Sequence, residues 1–93
     1  MSEDLTAKFG RAAKEVTELS EAPDQDAMLA LYALFKQATV GDYTQGKKPG
    51  MLDVVGKFKY EAWKQREGMS HEQAMQEYID LVEKLKADDA AKQ

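Results

Sequence analysis

The chain contains no cysteine, a single histidine and two prolines. Without cysteine it can form neither a disulfide framework nor a thiolate site for metal or redox chemistry. Its longest apolar run is far shorter than the roughly 20 residues that cross a bilayer, and residues 1–20 lack the apolar core of a secretory signal. We therefore expect a cytoplasmic protein without integral membrane association, with one domain over residues 3–88 and a fraying tail over 89–93.

Patterns that carry catalysis are missing as well. His71 falls in the first turn of a predicted helix, where the helix dipole disfavours a positive charge, so we expect it to be neutral and solvated. We find no cysteine or serine nucleophile, no metal-ligand spacing and no glycine-rich phosphate loop. The sequence predicts a protein that is not an enzyme and that needs no cofactor.

The charge is unevenly distributed along this acidic chain. Residues 36–66 carry seven basic side chains against three acidic ones, whereas residues 1–35 and 67–93 each carry three basic against seven acidic. Such a pattern favours a local site for a compact anion. It disfavours nucleic acid as a partner, because a long polyanion would also meet the acidic flanks.

Four segments have apolar residues at helical spacing, and no strand-like alternation competes with them. Good N-cap residues precede the segments, and Gly41 and Gly68 suit helix ends. The third segment carries apolar residues at this spacing, and we expect Phe58 among them to lie in the core. These residues are Val54, Val55, Phe58, Ala62 and Trp63. The pattern predicts an all-α fold, a small four-helix bundle, with a long loop between the second and third helices. The four predicted caps are Ser2, Asp24, Asp53 and Ser70.

Two lysines stand among aromatic residues. Met28, Tyr32 and Lys36 are spaced by four and share a stripe of the second helix, while Lys59 lies one turn before Trp63. Tyr78, on the inward face of the last helix, needs a hydrogen-bond partner if it is buried. Together these side chains suggest a pocket for a flat, anionic, partly apolar ligand. The alternative interpretation is that Lys36 is an ordinary solvated lysine and that Lys59 covers core aromatics with its stem.

Three segments carry a resemblance to a known family: YALFKQATVGD over 32–42, PGMLD over 49–53 and GKFKYEAW over 56–63. They resemble the acyl-CoA-binding protein family, as does the last helix over 68–85. The resemblance implies a four-helix bundle that binds medium- to long-chain acyl-CoA esters and carries them in the cytosol. Nothing in the sequence demands more than a monomer.

The resemblance also implies roles for individual residues. Tyr32 is similar to the family's tyrosine that stacks on adenine, and Lys36, Lys59 and Tyr78 to the residues that meet the ribose 3′-phosphate. Further positions resemble the acyl groove: Ala13, Met28 and Leu29.

Several residues depart from the family pattern. Thr17 and Val55 stand where many members have lysine, and Phe35, another candidate ligand contact, replaces a common tyrosine. We expect Lys47, Lys48 or Lys57 to compensate for the two lost cations. A competing hypothesis of a different class is a helical protein-interaction module whose Met28–Tyr32 stripe receives a partner helix.

Overall fold

The computed structural model describes residues 4–43 and 52–92, and these fold into four α-helices with no strand among them. A short 3-10 helix, Val16–Glu18, extends the first helix by one turn. The expected all-α, four-helix fold is therefore confirmed. The helices are α1 Leu5–Glu15, α2 Gln25–Thr39, α3 Val54–Lys64 and α4 His71–Ala91.

Each helix begins where a side-chain oxygen accepts a hydrogen bond from a backbone amide of the first turn, which satisfies one of the exposed donors there. Asp24, Asp53 and Ser70 cap α2, α3 and α4, as the sequence predicts. For α1 the cap is Asp4, 2.8 Å from the Ala7 amide. Because Asp4 is the cap, this helix begins later than expected. The predicted cap, Ser2, lies outside the described residues.

The core lies where α1, α2 and α4 meet. Its buried residues are Phe9, Ala12, Leu31, Leu34, Ala38, Ala74, Tyr78 and Val82. Helix α3 lies at one side of this core and, within the described ranges, packs only on α2. It runs in the same direction as α2, since Val55 near its start shares a groove with Gln25 and Trp63 near its end contacts Gly41.

The prediction that Phe58 is a core residue is wrong, because it is 48% exposed, and Val54 and Val55 are more exposed still. A helix with one neighbour covers only a narrow stripe of its surface, and in α3 the sole buried residue is Trp63. The apolar residues of α3 do recur at helical spacing, but they occupy a wider arc of the helix than the stripe that α2 covers.

The expected tail over 89–93 also differs from the structure, because α4 continues to Ala91. Asp89 accepts hydrogen bonds from the hydroxyl and the amide of Ser20. Lys92 forms an ion pair of 3.2 Å with Glu21. These contacts tie the end of α4 to the segment that follows α1, so the helix is held where the sequence favours fraying.

A polar cluster joins the end of α2 to the start of α4. The buried Gln37 amide donates to Asp42 Oδ1 at 2.7 Å and to the Met69 carbonyl at 2.9 Å, and the Gly68 amide donates to the same Asp42 oxygen at 2.8 Å. His71 Nδ1 lies 2.8 Å from the Ala38 carbonyl. His71 is exposed, in agreement with the expectation of a solvated histidine, and its ring also caps the last turn of α2.

This cluster makes stability depend on pH. The hydrogen bond from the Gly68 amide, and then that from Gln37, hold the pKa of Asp42 below its ordinary value of 3.8. A lowered carboxyl pKa contributes stability above the ordinary value, and that contribution is lost as the pH falls below it. We therefore expect Asp42→Asn to lower the free energy of unfolding in urea at about pH 7, and to lower it much less at about pH 3. An equal loss at both pH values would show that the charge of Asp42 is irrelevant.

Candidate functional site

The ring of Tyr32 is the centre of the candidate site. Lys36, one turn later on α2, places its Nζ 5.9 Å from the Tyr32 ring centroid, and Lys59 of α3 places its Nζ 5.2 Å from it. Trp63 meets the same ring edge-on, with centroids 6.4 Å apart and planes at 87°. Two cations from different helices thus converge on one aromatic surface, where a cation over a ring gains about 0.5–1 kcal/mol at exposed sites.

Lys36 is also held by a second ring, since its Nζ lies 5.8 Å from the Trp63 centroid. Because Trp63 is buried and its indole donates to the Gly41 carbonyl at 2.8 Å, this ring is fixed in place. Two ammonium groups around one ring repel each other, and an anion between them would relieve the repulsion. The arrangement therefore favours a negatively charged ligand.

A groove of about 650 Å³ lies beside Tyr32, between α2 and α3. This volume falls within the roughly 300–1,000 Å³ of ordinary small-molecule sites. Apart from Lys59 and Gln25, its walls are apolar or aromatic. The residues lining this α2–α3 groove are Gln25, Met28, Leu29, Tyr32, Val55, Phe58 and Lys59.

A second groove, of about 330 Å³, lies on the other side of the same stripe. It shares Met28 and Tyr32 with the first, so these two side chains form a common wall. This inner groove is lined by Val16, Pro23, Met28, Leu31, Tyr32, Phe35 and Tyr78. Apart from the two phenol hydroxyls its side chains are apolar, which suits a hydrocarbon chain.

Three aromatic rings form the floor beneath the inner groove. The ring centroid of Phe9 lies 5.0 Å from that of Tyr78, in an edge-on contact, and 5.5 Å from that of Phe35, with the planes tilted by 32°. At these distances aromatic pairs stabilise each other. Burial raises the pKa of the Tyr78 phenol above its ordinary value of 10.0. Tyr78 therefore keeps its proton at neutral pH and can donate a hydrogen bond to a ligand.

The structure brings most of the predicted site residues together. Met28, Leu29, Tyr32, Phe35, Lys59 and Tyr78 line the two grooves, and Lys36 lies over Tyr32. Lys59 and Tyr78, however, line different grooves with Tyr32 between them. Ala13 packs against the core cluster and lines neither groove. Lys47 and Lys48 lie outside the described residues, and Lys57 is exposed.

Part of the groove lining was not predicted from the sequence. Val55 and Phe58 line the α2–α3 groove, whereas Phe58 was predicted to be a core residue and Val55 was noted only as a departure from the family's lysine. The spacing of four between Val55 and Lys59 was the available signal, since it places both on one face of α3. Val16 and Pro23, which line the inner groove, follow α1 in a connecting segment whose position the sequence does not reveal.

Within residues 4–43 and 52–92, no group of three or more histidine, aspartate or glutamate side chains is arranged to hold a metal ion. No helix in the same ranges is long and apolar enough to cross a bilayer.

The family assignment follows from sequence comparison. The profile of the acyl CoA binding protein family matches residues 6–82. The chain belongs to the acyl-CoA-binding protein family. Members of this family are binding proteins and not enzymes, and the chain is accordingly a binding protein.

Individual acyl-CoA-binding proteins show the extent of the likeness. The chain is 51% identical over 83 residues to an acyl-CoA-binding protein homolog from Drosophila melanogaster, covering 89% of this chain and 95% of that one. It is 48% identical over 77 residues to the acyl-CoA-binding protein of Saccharomyces cerevisiae, covering 83% and 87%.

Solved structures of the family share the fold. The crystal structure of Oryza sativa acyl-CoA-binding protein 2 matches with a TM-score of 0.89 at 34% identity, covering 97% of this chain and 99% of that one. The solution structure of the yeast acyl-CoA-binding protein matches with a TM-score of 0.69 at 48% identity, covering 86% and 92%.

Proposed function

We propose that the chain binds medium- to long-chain acyl-CoA esters, without catalysis, and acts as an intracellular carrier and buffer for them. In this proposal it works as a monomer in the cytoplasm and needs no cofactor, the ester being its cargo. The observation that carries the proposal is the position of Tyr32, which has two lysine ammonium groups over its ring and walls two apolar grooves.

The polar end of the ligand suits the Tyr32 surroundings. An acyl-CoA presents a flat adenine, a pyrophosphate and a ribose 3′-phosphate. In our proposal the adenine stacks on the Tyr32 ring while Lys36 and Lys59 hold the phosphates, and hydrogen bonds to charged groups each contribute about 1.5–3 kcal/mol. Tyr78 lines the inner groove, whereas Lys59 lines the α2–α3 groove, so we do not place Tyr78 on the same phosphate. Its protonated hydroxyl suits a polar atom near the thioester.

The apolar end supplies more of the affinity. Burying one methylene is worth about 0.8 kcal/mol, so about 14 of them contribute on the order of 10 kcal/mol before the costs of ordering are subtracted. The methionine, leucine and phenylalanine side chains that line the grooves suit such a chain. In the proposal, Ala13 packs behind the groove on the side of the core and does not line either groove. The combined contributions are sufficient for a nanomolar dissociation constant.

Calorimetric titration with palmitoyl-CoA, CoA and palmitate tests the proposal. We expect palmitoyl-CoA to bind much more tightly than either fragment, because it alone occupies both the cationic and the apolar regions. Equal affinity for palmitate and palmitoyl-CoA would rule out the nucleotide site. Absence of binding by all three would reject the carrier function.

Lys36→Ala is expected to weaken palmitoyl-CoA binding by about 1.5–3 kcal/mol, since it removes a charged donor from the phosphate region. Palmitate, which has no phosphate, should lose little. The titration should be repeated with Lys84→Ala, which removes an exposed lysine from α4 and is expected to bind like the unmodified protein. A dissociation constant unchanged by Lys36→Ala would remove this lysine from the site.

A further inference from the structure

Helix α3 and the residue pair before it expose an unusual amount of apolar side chain. Leu52 is 97% exposed, Val55 63%, Val54 59% and Phe58 48%. Single exposed apolar residues are ordinary, whereas several on one short segment mark an interaction surface. We call Leu52, Val54, Val55 and Phe58 the α3 apolar face.

Ligand binding accounts for only half of this face. Val55 and Phe58 line the α2–α3 groove, and an acyl chain there would cover part of them. Leu52 and Val54 line neither groove, so the cargo leaves them in water. The face therefore begins at the mouth of the groove and extends outside it.

The face has the form of a helix that lies on a membrane surface. At 100° per residue, Val54, Val55 and Phe58 fall within an arc of about 100°, and Lys57 and Lys59 lie on opposite sides of that arc. Apolar residues flanked by lysines are typical of helices that rest at the boundary between headgroups and acyl chains. Glu61, the only acidic residue of α3, lies at the edge of the arc beside Lys57.

Charge favours an anionic partner for this side of the molecule. Residues 52–64, which include the N-cap Asp53, carry three lysines against two acidic residues, whereas α4 carries six acidic residues against two lysines. Within the described residues α3 packs on α2 and not on α4, so the basic and acidic helices are separated. At physiological salt, acidic groups more than about 8–10 Å from a membrane surface are largely screened.

We propose that the α3 apolar face docks on a lipid bilayer that contains anionic headgroups. Leu52 and Val54 insert at the headgroup boundary, and Lys57, which lines neither groove, meets lipid phosphates. Because Val55 and Phe58 belong both to this face and to the groove, docking places the mouth of the groove against the acyl layer. The docking itself does not depend on the proposed function, whereas its role in loading rests on it. In that role, an acyl chain would pass from the bilayer into the groove without crossing water. A protein partner would need to offer a complementary groove to this convex helix, whereas a fluid bilayer adapts to it.

Flotation of the unliganded full chain with lipid vesicles tests the docking. We expect binding to phosphatidylcholine vesicles with about 30% phosphatidylserine, much weaker binding to pure phosphatidylcholine, and weakening by added salt. Replacing both Leu52 and Val54 by serine should reduce the vesicle partition coefficient roughly tenfold. Lys57→Glu should also reduce it, and Glu61→Lys should increase it.

Two control variants match these changes away from α3. Val40→Ser alters a valine of similar exposure, 51% against 59% for Val54, at the far end of α2. Its partition coefficient should stay unchanged, while the single Val54→Ser variant loses roughly threefold. Lys84→Glu on α4 is the control for Lys57→Glu.

The proposal is overturned if anionic vesicles do not bind the protein at low salt, which would leave a protein partner as the occupant of the face. It is equally overturned if Val40→Ser and Val54→Ser lower binding to the same extent. Calorimetry with palmitoyl-CoA in the absence of vesicles reports separately on the carrier function. Since Leu52 and Val54 lie outside both grooves, their serine variant should bind palmitoyl-CoA normally while losing vesicle binding.

Discussion

Tyr32→Ala is expected to weaken palmitoyl-CoA binding by about 5- to 150-fold. A base stacked on an aromatic side chain contributes about 1–3 kcal/mol, which corresponds to this range. The loss of the ring also removes the surface over which Lys36 and Lys59 lie at 5.9 and 5.2 Å. The substitution also removes part of the wall that Met28 and Tyr32 form between the two grooves. An acyl chain in either groove would therefore lose contacts. Calorimetry with palmitoyl-CoA measures the effect.

Tyr32→Phe separates the ring from its hydroxyl. Phenylalanine keeps the stacking surface, the edge-on contact with Trp63 and the attraction for both ammonium groups, so it should restore most of the affinity. Thermal unfolding of both variants checks that the bundle remains folded. If alanine and phenylalanine bind palmitoyl-CoA equally well, the ring is not a stacking platform and the proposed arrangement of the nucleotide is wrong.

Trp63→Ala is expected to lower the free energy of unfolding by about 3–5 kcal/mol, a large part of the roughly 5–15 kcal/mol that stabilises a small domain. Trp63 is 3% exposed and is the single buried residue of α3. Its ring packs edge-on against Tyr43 at 4.8 Å, and its indole donates to the Gly41 carbonyl. Urea unfolding followed by circular dichroism measures the loss.

Two variants locate the source of this stability. Trp63→Phe keeps an aromatic ring but removes the donor to Gly41, and we expect it to cost about 1–3 kcal/mol. Phe58→Ala on the same helix should cost less than about 1 kcal/mol, because nearly half of its side chain is already in water. A loss at Phe58 as large as that at Trp63 would mean that α3 is anchored along its whole length.

Local chemistry explains why the helices were predictable. Asp24, Asp53 and Ser70 cap their helices because a short polar side chain before an apolar period satisfies free amides without help from the rest of the fold. Gly41, with φ of 98°, ends α2 for an equally local reason, since this backbone conformation is costly for other residues. The far end of α4 was missed because its stability comes from contacts of Asp89 and Lys92 with residues about 70 positions earlier.

The candidate site was predictable to the extent that it follows one helix. The spacing of Met28, Tyr32 and Lys36 places them on one stripe, and the structure leaves that stripe open. Which side of α3 is covered depends on the number of its neighbours, and periodicity does not report that number. For this reason Phe58 was predicted to be a core residue, although it lines a groove together with Val55. The division of Lys59 and Tyr78 between two grooves likewise depends on how the helices pack.

The wall formed by Met28 and Tyr32 bears on the number of ligand molecules that one chain can bind, because these two side chains line both grooves. Under the proposed function, we expect an acyl chain in one groove to displace this wall toward the other groove, while its nucleotide occupies Lys36 and Lys59. We therefore expect saturation at one acyl-CoA per polypeptide.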